Sequence, residues 1–83
     1  MFQIVNVDSL LSRITIDDAK LNGKPAIRGK RIAVQTVLEF LSAGNSAEEI
    51  LEQYPSLEPD DIKACLRFAA EMMNNQYVIK PVV

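Results

Sequence analysis

Gly44-Asn45-Ser46-Ala47-Glu48-Glu49-Ile50-Leu51-Glu52-Gln53-Tyr54-Pro55-Ser56-Leu57-Glu58-Pro59-Asp60-Asp61-Ile62 is the stretch that decides the fold. Ser46-Ala47-Glu48-Glu49 has the spacing of a capping box: the serine oxygen accepts from the backbone N–H of Glu49, whose side chain reaches back to the backbone N–H of Ser46. The helix opened there, about Ala47 to Tyr54, turns Ile50, Leu51 and Tyr54 to the core, and Pro55 stops it. Pro59 suits the first position of a second helix, and Asp60 and Asp61 complement the positive end of its dipole. Leu57 and Ile62 stand where a hydrophobic staple clamps a helix start. Two helices joined by so short a turn have the proportions of a helix-turn-helix unit.

Outward from this unit the period stays helical in both directions. Upstream, Val34, Val37, Leu38 and Leu41 fall at i, i+3, i+4 and i+7, a stripe that predicts a helix from Val34, closed by a left-handed residue at Gly44. Downstream, Ile62, Cys65, Leu66 and Ala69 continue a buried stripe, Met72 and Met73 add core or dimer packing, and Asn74-Asn75 closes the helix. Before Val34 the chain reads as extended. Phe2 to Val7 is apolar, β-tolerant and short. Ile14, Thr15 and Ile16 place three β-branched residues in a row, which favours a strand. Asn22-Gly23 supplies a turn, and Pro25 keeps Lys24 out of the helical region. Ala26-Ile27-Arg28 and Arg31-Ile32-Ala33 flank Gly29-Lys30, a short hairpin or extended loop with a glycine-assisted reversal. The expected architecture is mainly α: a three-helix, helix-turn-helix-like bundle with a short N-terminal β-strand or hairpin segment. Residues 1–83 form one domain, with an extended basic segment at 1–33, helices over 34–75 and an apolar tail at 76–83.

Composition narrows the function classes. Hydrophobic residues make up 48 % of the chain and charged residues 24 %, as in ordinary globular proteins. No apolar run approaches the ~18 residues needed to cross a bilayer. The N-terminus lacks the features of a secretory signal, so a cytoplasmic protein without a membrane partner is expected. Histidine is absent and Cys65 is the single cysteine. Cys/His zinc sites and histidine-based nucleophile pairs are thereby excluded within one chain. Glu48–Glu49 and Asp60–Asp61 are explained by the helix starts they occupy, and Cys65 by its place on an apolar stripe. No cofactor or metal is expected, and an enzyme is the least supported class.

The net charge of −2 conceals a polarity. Residues 1–31 hold six Lys or Arg against three Asp or Glu, whereas residues 32–83 hold three against eight. A molecule of this kind can pair with itself or offer its basic end to an acidic partner.

The segments Arg13-Ile14-Thr15-Ile16-Asp17, Gly23-Lys24-Pro25-Ala26-Ile27-Arg28-Gly29-Lys30-Arg31-Ile32, Gly44 to Leu51 and Tyr54-Pro55 resemble the domain of unknown function 433 family, over about Arg13 to Ala70. The glycine- and arginine-bearing middle segment is the most specific. Two positions depart from the family pattern: Glu58 replaces a usual Thr or Ser cap, and Ala33 a common Pro. The resemblance implies small prokaryotic proteins with a helix-turn-helix-like fold, many of them like the antitoxin half of a toxin–antitoxin pair. It implies as partner a PIN-type ribonuclease toxin with an acidic site.

Lys24, Arg28, Lys30 and Arg31 are the candidate partner-binding residues, and Gly23, Pro25 and Gly29 shape the turn that carries them. Arginine offers a rigid fork of donors that fits carboxylate or phosphate in bidentate fashion. The competing reading is a solvated loop whose arginines are bridged to carboxylates of the helices. Tyr77, Val78 and Ile79 are candidates for a dimer or partner contact. Operator DNA is the alternative partner, bound by a homodimeric regulator through its basic half. The first turn of the third helix carries Glu58, Asp60 and Asp61, which phosphates would repel. A homo-oligomeric structural domain is the further alternative.

Overall fold

The computed structural model describes residues 7–17, 19 and 21–74. Its elements are α1 (Val7–Leu11), β1 (Ile14–Thr15), β2 (Ala26–Ile27), α2 (Val34–Ser42), α3 (Ala47–Gln53) and α4 (Pro59–Asn74). Segment 2–6 and the tail residues Tyr77, Val78 and Ile79 lie outside the described residues.

The helix ends follow the local chemistry expected of them. In α3, Ser46 Oγ accepts from the Glu49 N–H at 3.1 Å and Glu49 Oε1 accepts from the Ser46 N–H at 2.7 Å, a complete capping box. After α2, the Asn45 N–H donates to the Phe40 carbonyl and the Gly44 N–H to the Leu41 carbonyl, with Gly44 at φ 99°. That pair of bonds is a Schellman closure, and the left-handed residue it needs is the glycine. The start of α2 is capped differently. Ala33 has no side-chain oxygen, and the Val34 N–H instead donates to the carbonyl of Pro25 at 3.0 Å.

Two structural differences from the sequence expectations have clear causes. β1 spans Ile14–Thr15 and pairs antiparallel with β2, with Ile14 opposite Ile27 and Thr15 opposite Ala26. The return arm at Arg31-Ile32-Ala33 is reduced to a bridge from Ala26 to Ala33 and a bond from the Ile27 N–H to the Ile32 carbonyl. The arm is cut short because α2 begins at Val34, directly after the bridge at Ala33. At the N-terminus, Val7 opens a short helix rather than ending a strand, and α1 packs against α4.

The core joins Ile27 of β2, Val34 and Val37 of α2, Ile50 of α3, Leu57 of the α3–α4 turn, and Ile62 and Cys65 of α4. Leu57 and Ile62 are both buried, as a staple requires. Leu38, Leu41, Leu51 and Tyr54 pack on this cluster, and the Phe40 and Tyr54 rings meet edge-on with centroids 6.0 Å apart. Leu66 breaks the expected stripe: it is 50 % exposed, as are Met72 (55 %) and Met73 (62 %). The buried face of α4 runs instead through Asp61, Ile62, Ala64 and Cys65, with Phe68 against its edge. At about 100° per residue counted from Asp61, the buried positions span roughly −60° (Ala64) to 100° (Ile62), and Leu66 at about 140° lies beyond that face. Among the described residues no helix is long and apolar enough to cross a membrane.

Burial pushes the Cys65 thiol from its ordinary 9.0 to about 12, with the Asp61 carboxylate adding to the rise. The unfolded chain then releases the thiol proton at lower pH than the folded one, so stability falls as pH climbs from about 9 towards 12. Cys65→Ala should remove this part of the decline, at most about 1.4 kcal/mol per pH unit in urea titrations. Identical slopes for the two proteins would refute the assignment.

Candidate functional site

Ile27-Arg28-Gly29-Lys30 forms a tight reversal. The Lys30 N–H donates to the Ile27 carbonyl at 3.0 Å, and Gly29 sits at φ 68°. A positive φ at the third position is what a type II turn demands. The strand pairing fixes the base of this turn, because the Arg28 N–H donates to the Arg13 carbonyl at 2.8 Å. Arg28 and Arg31 are exposed and Lys30 is half-buried. Lys24, also exposed, follows a left-handed turn at Leu21-Asn22-Gly23 (φ 51°, 55° and 76°), in which the Lys24 N–H donates to the Leu21 carbonyl. Pro25 contributes the carbonyl that caps α2, so the expected turn-shaping residues Gly23, Pro25 and Gly29 each have a backbone role.

A cleft of ≈340 Å³ opens beside the turn. Arg28, Gly29 and Lys30 line it together with Arg13, Ser56, Glu58 and Asp61. The structure thus brings three of the expected residues together. Lys24 and Arg31 stand outside the lining, and Arg13, Ser56, Glu58 and Asp61 enter it unforeseen.

Arg13 organises the acidic side. Its guanidinium lies 2.7 Å from Glu58 Oε1, 3.0 Å from Asp61 Oδ1 and 3.8 Å from Asp60 Oδ2. Hydrogen bonds to Glu58 and Asp61 raise its pKa above the ordinary arginine value. The side chain of Asp61 is only 6 % exposed, and its second oxygen accepts from the Glu58 N–H at 2.8 Å. That bond is the reaching-back half of a capping box with an aspartate in the glutamate's place. Asp61 therefore caps α4 and ties it to the start of β1, beyond the dipole role its position alone suggests. Glu58, by contrast, is 66 % exposed.

Among the described residues, the ion pairs form away from the turn. Arg13 takes the carboxylates of the first turn of α4, Lys63 approaches Asp60 at 4.0 Å, and Arg67 pairs with Glu71 at 3.1 Å. No described carboxylate lies within the 4.0 Å ion-pair limit of Lys24, Arg28, Lys30 or Arg31. Nor, among the described residues, do three or more His, Cys, Asp or Glu side chains gather as metal ligands. The site offers hydrogen-bond donors and charge of both signs.

Residues 14–69 match the family model described as "Protein of unknown function (DUF433)". The chain belongs to the DUF433 family. Its fold is similar to the crystal structure of a DUF433 member protein from Anabaena variabilis, with a TM-score of 0.72 and 28 % identity, covering 82 % of this chain and 67 % of that one. It is also 39 % identical over 49 residues to the uncharacterized protein y4eO of Sinorhizobium fredii. That match takes in 59 % of this chain but only 22 % of the relative, so the chain spans a small part of that protein's length. The DUF433 match begins at the strand that follows Arg13 and ends about two-thirds of the way along α4, enclosing the basic turn and the acidic helix start.

Asp61→Ala should lower stability by about 2 kcal/mol in urea denaturation, because it removes the acceptor that caps the Glu58 N–H and the buried partner of Arg13. Glu58→Gln, on the exposed side of the same cluster, should leave the midpoint nearly unchanged. Equal losses for the two variants would contradict this division of roles.

Proposed function

We propose that this DUF433 chain is a non-catalytic binding module whose basic turn engages an acidic surface on a protein partner, as an antitoxin does when it neutralises a PIN-type ribonuclease. One observation carries the reading. Every described Lys or Arg outside the turn segment is ion-paired, while Lys24, Arg28, Lys30 and Arg31 have no described carboxylate in range. Exposed ion pairs contribute little to stability, so the fold gains almost nothing from this charge. Across an interface the same charge gains more, by steering encounter and by forming charge-assisted bonds that exclude water. The acidic metal site of a PIN-type nuclease is a surface of matching sign.

The second reading is a dimeric DNA-binding regulator that turns the same cations to phosphate. The helix-turn-helix proportions of α3 and α4 favour it, with α4's exposed Leu66, Met72 and Met73 as a surface for self-association. The acidic first turn of α4 opposes it, since that end of a recognition helix approaches the DNA backbone.

Co-expression with the product of the adjacent gene should yield a stable complex. Arg28→Glu combined with Arg31→Glu should weaken it by roughly ten-fold or more, whereas Lys63→Glu on α4 should not. Undiminished affinity in the double variant would defeat the role given to the turn. A mobility shift on upstream DNA that steepens with falling salt, without any protein complex, would transfer the assignment to the second reading.

A further inference from the structure

The cleft beside the turn narrows the chemistry of the partner segment, provided the turn is a partner-binding element as argued above. Its lining holds three cations, Arg13, Arg28 and Lys30, and two carboxylates, Glu58 and Asp61. Asp61 is already engaged, one oxygen with Arg13 and the other with the Glu58 N–H. Glu58 differs. Its carboxylate is largely exposed and its one side-chain hydrogen bond is to Arg13, which keeps Asp61 as a buried partner if Glu58 turns away. On the side of the turn, Arg28 and Lys30 have no described carboxylate in range. One small cleft thus offers two unpaired cations and one displaceable carboxylate.

Three kinds of ligand meet this arrangement differently. A nucleic acid strand that set one phosphate against Arg28 and Lys30 would bring further phosphates close to Glu58 and Asp61 in the same cleft. A purely acidic peptide would meet the same repulsion at its second carboxylate. A segment in which a carboxylate side chain stands next to a cationic one matches both signs. The ≈340 Å³ of the cleft lies at the small end of the range for ligand sites, suited to a pair of side chains.

We propose that the cleft receives a two-sign motif of a protein partner, with a carboxylate side chain against Arg28 and Lys30 and an adjacent cationic side chain against Glu58. Arg13 retains Asp61 throughout, so binding leaves the tie between β1 and α4 in place. Glu58 is then a specificity residue, selecting mixed charge over uniform negative charge.

The test is an NMR titration of the ¹⁵N-labelled full chain at low salt with three probes: the peptide Gly-Ser-Asp-Arg-Ser-Gly, the peptide Gly-Ser-Asp-Asp-Ser-Gly, and a single-stranded oligouridylate. The Asp-Arg peptide should shift the amide signals of Gly29 and Ser56 and bind roughly three- to five-fold more tightly than the Asp-Asp peptide, the scale of one exposed ion pair. Glu58→Gln should erase that preference, and Arg28→Glu should abolish binding of both. Equal or tighter binding of the Asp-Asp peptide, still dependent on Arg28, would overturn the two-sign motif and leave the basic-turn reading standing. Strongest binding by oligouridylate would overturn the motif in favour of nucleic acid. If no probe moves Gly29, the two-sign motif falls, while the wider reading stands or falls on the co-expression test.

Discussion

The ion-paired hydrogen bond between Arg13 and Asp61 holds the rest in place. It joins the residue before β1 to the first turn of α4 at 3.0 Å, across 48 positions of sequence. β1 pairs with β2, β2 runs into the Gly29 turn, and the return arm bridges back at Ala33 into α2. Fixing Arg13 therefore fixes the turn beside α4. The bond also answers a local need. A carboxylate as buried as Asp61 is costly without partners, and it receives two donors, the Arg13 guanidinium and the Glu58 N–H. Helix cap, strand anchor and cleft floor are thus one cluster.

That cluster explains why positive charge is left over at the turn. The carboxylates nearest to Arg28 and Lys30 along the cleft belong to Glu58 and Asp61, and both are engaged with Arg13. A salt bridge from Arg28 or Arg31 to a surface acid elsewhere would contribute little in water, so folding exerts weak pressure to form one. Charge that no described carboxylate neutralises, on a turn whose shape a left-handed glycine imposes, calls for an explanation outside the fold.

The features legible in the sequence are those that act over three to five residues. The Ser46–Glu49 box, the Gly44 closure, the Val34–Leu41 stripe, the staple at Leu57 and Ile62 and the Pro59 start need only helical spacing, and each was formed as read. Features set by distant packing were not legible. Nothing local marks Val7–Leu11 as a helix, because five residues hold too few turns to show a period and α1 is packed on α4. Leu66 looks apolar and correctly spaced, but the packing of α1, α2, α3 and β1 on α4 decides which face is covered. At the site, composition located the cations of the turn, while Arg13 gave no signal: an arginine before a strand carries no mark of a partner in a distant helix. Asp61 did give a signal, but the dipole accounted for it too cheaply.

The same cluster separates chain path from charge in the helix-turn-helix unit. α3, a short turn and α4 have the lengths of a helix-turn-helix unit, and in nucleic-acid readers built that way the start of the second helix comes close to phosphate. Here that start is where the fold stores its structural acid. Replacing Asp61 by a neutral or basic residue would suit phosphate and would at the same time release Arg13, uncap the Glu58 N–H and loosen the turn from α4. An arrangement in which the acid cannot be given up without the scaffold is better matched to a protein surface that presents its own mixture of charges. In the proposed reading, the basic turn and the acidic helix start are two halves of one recognition surface, and Arg13 holds them in register.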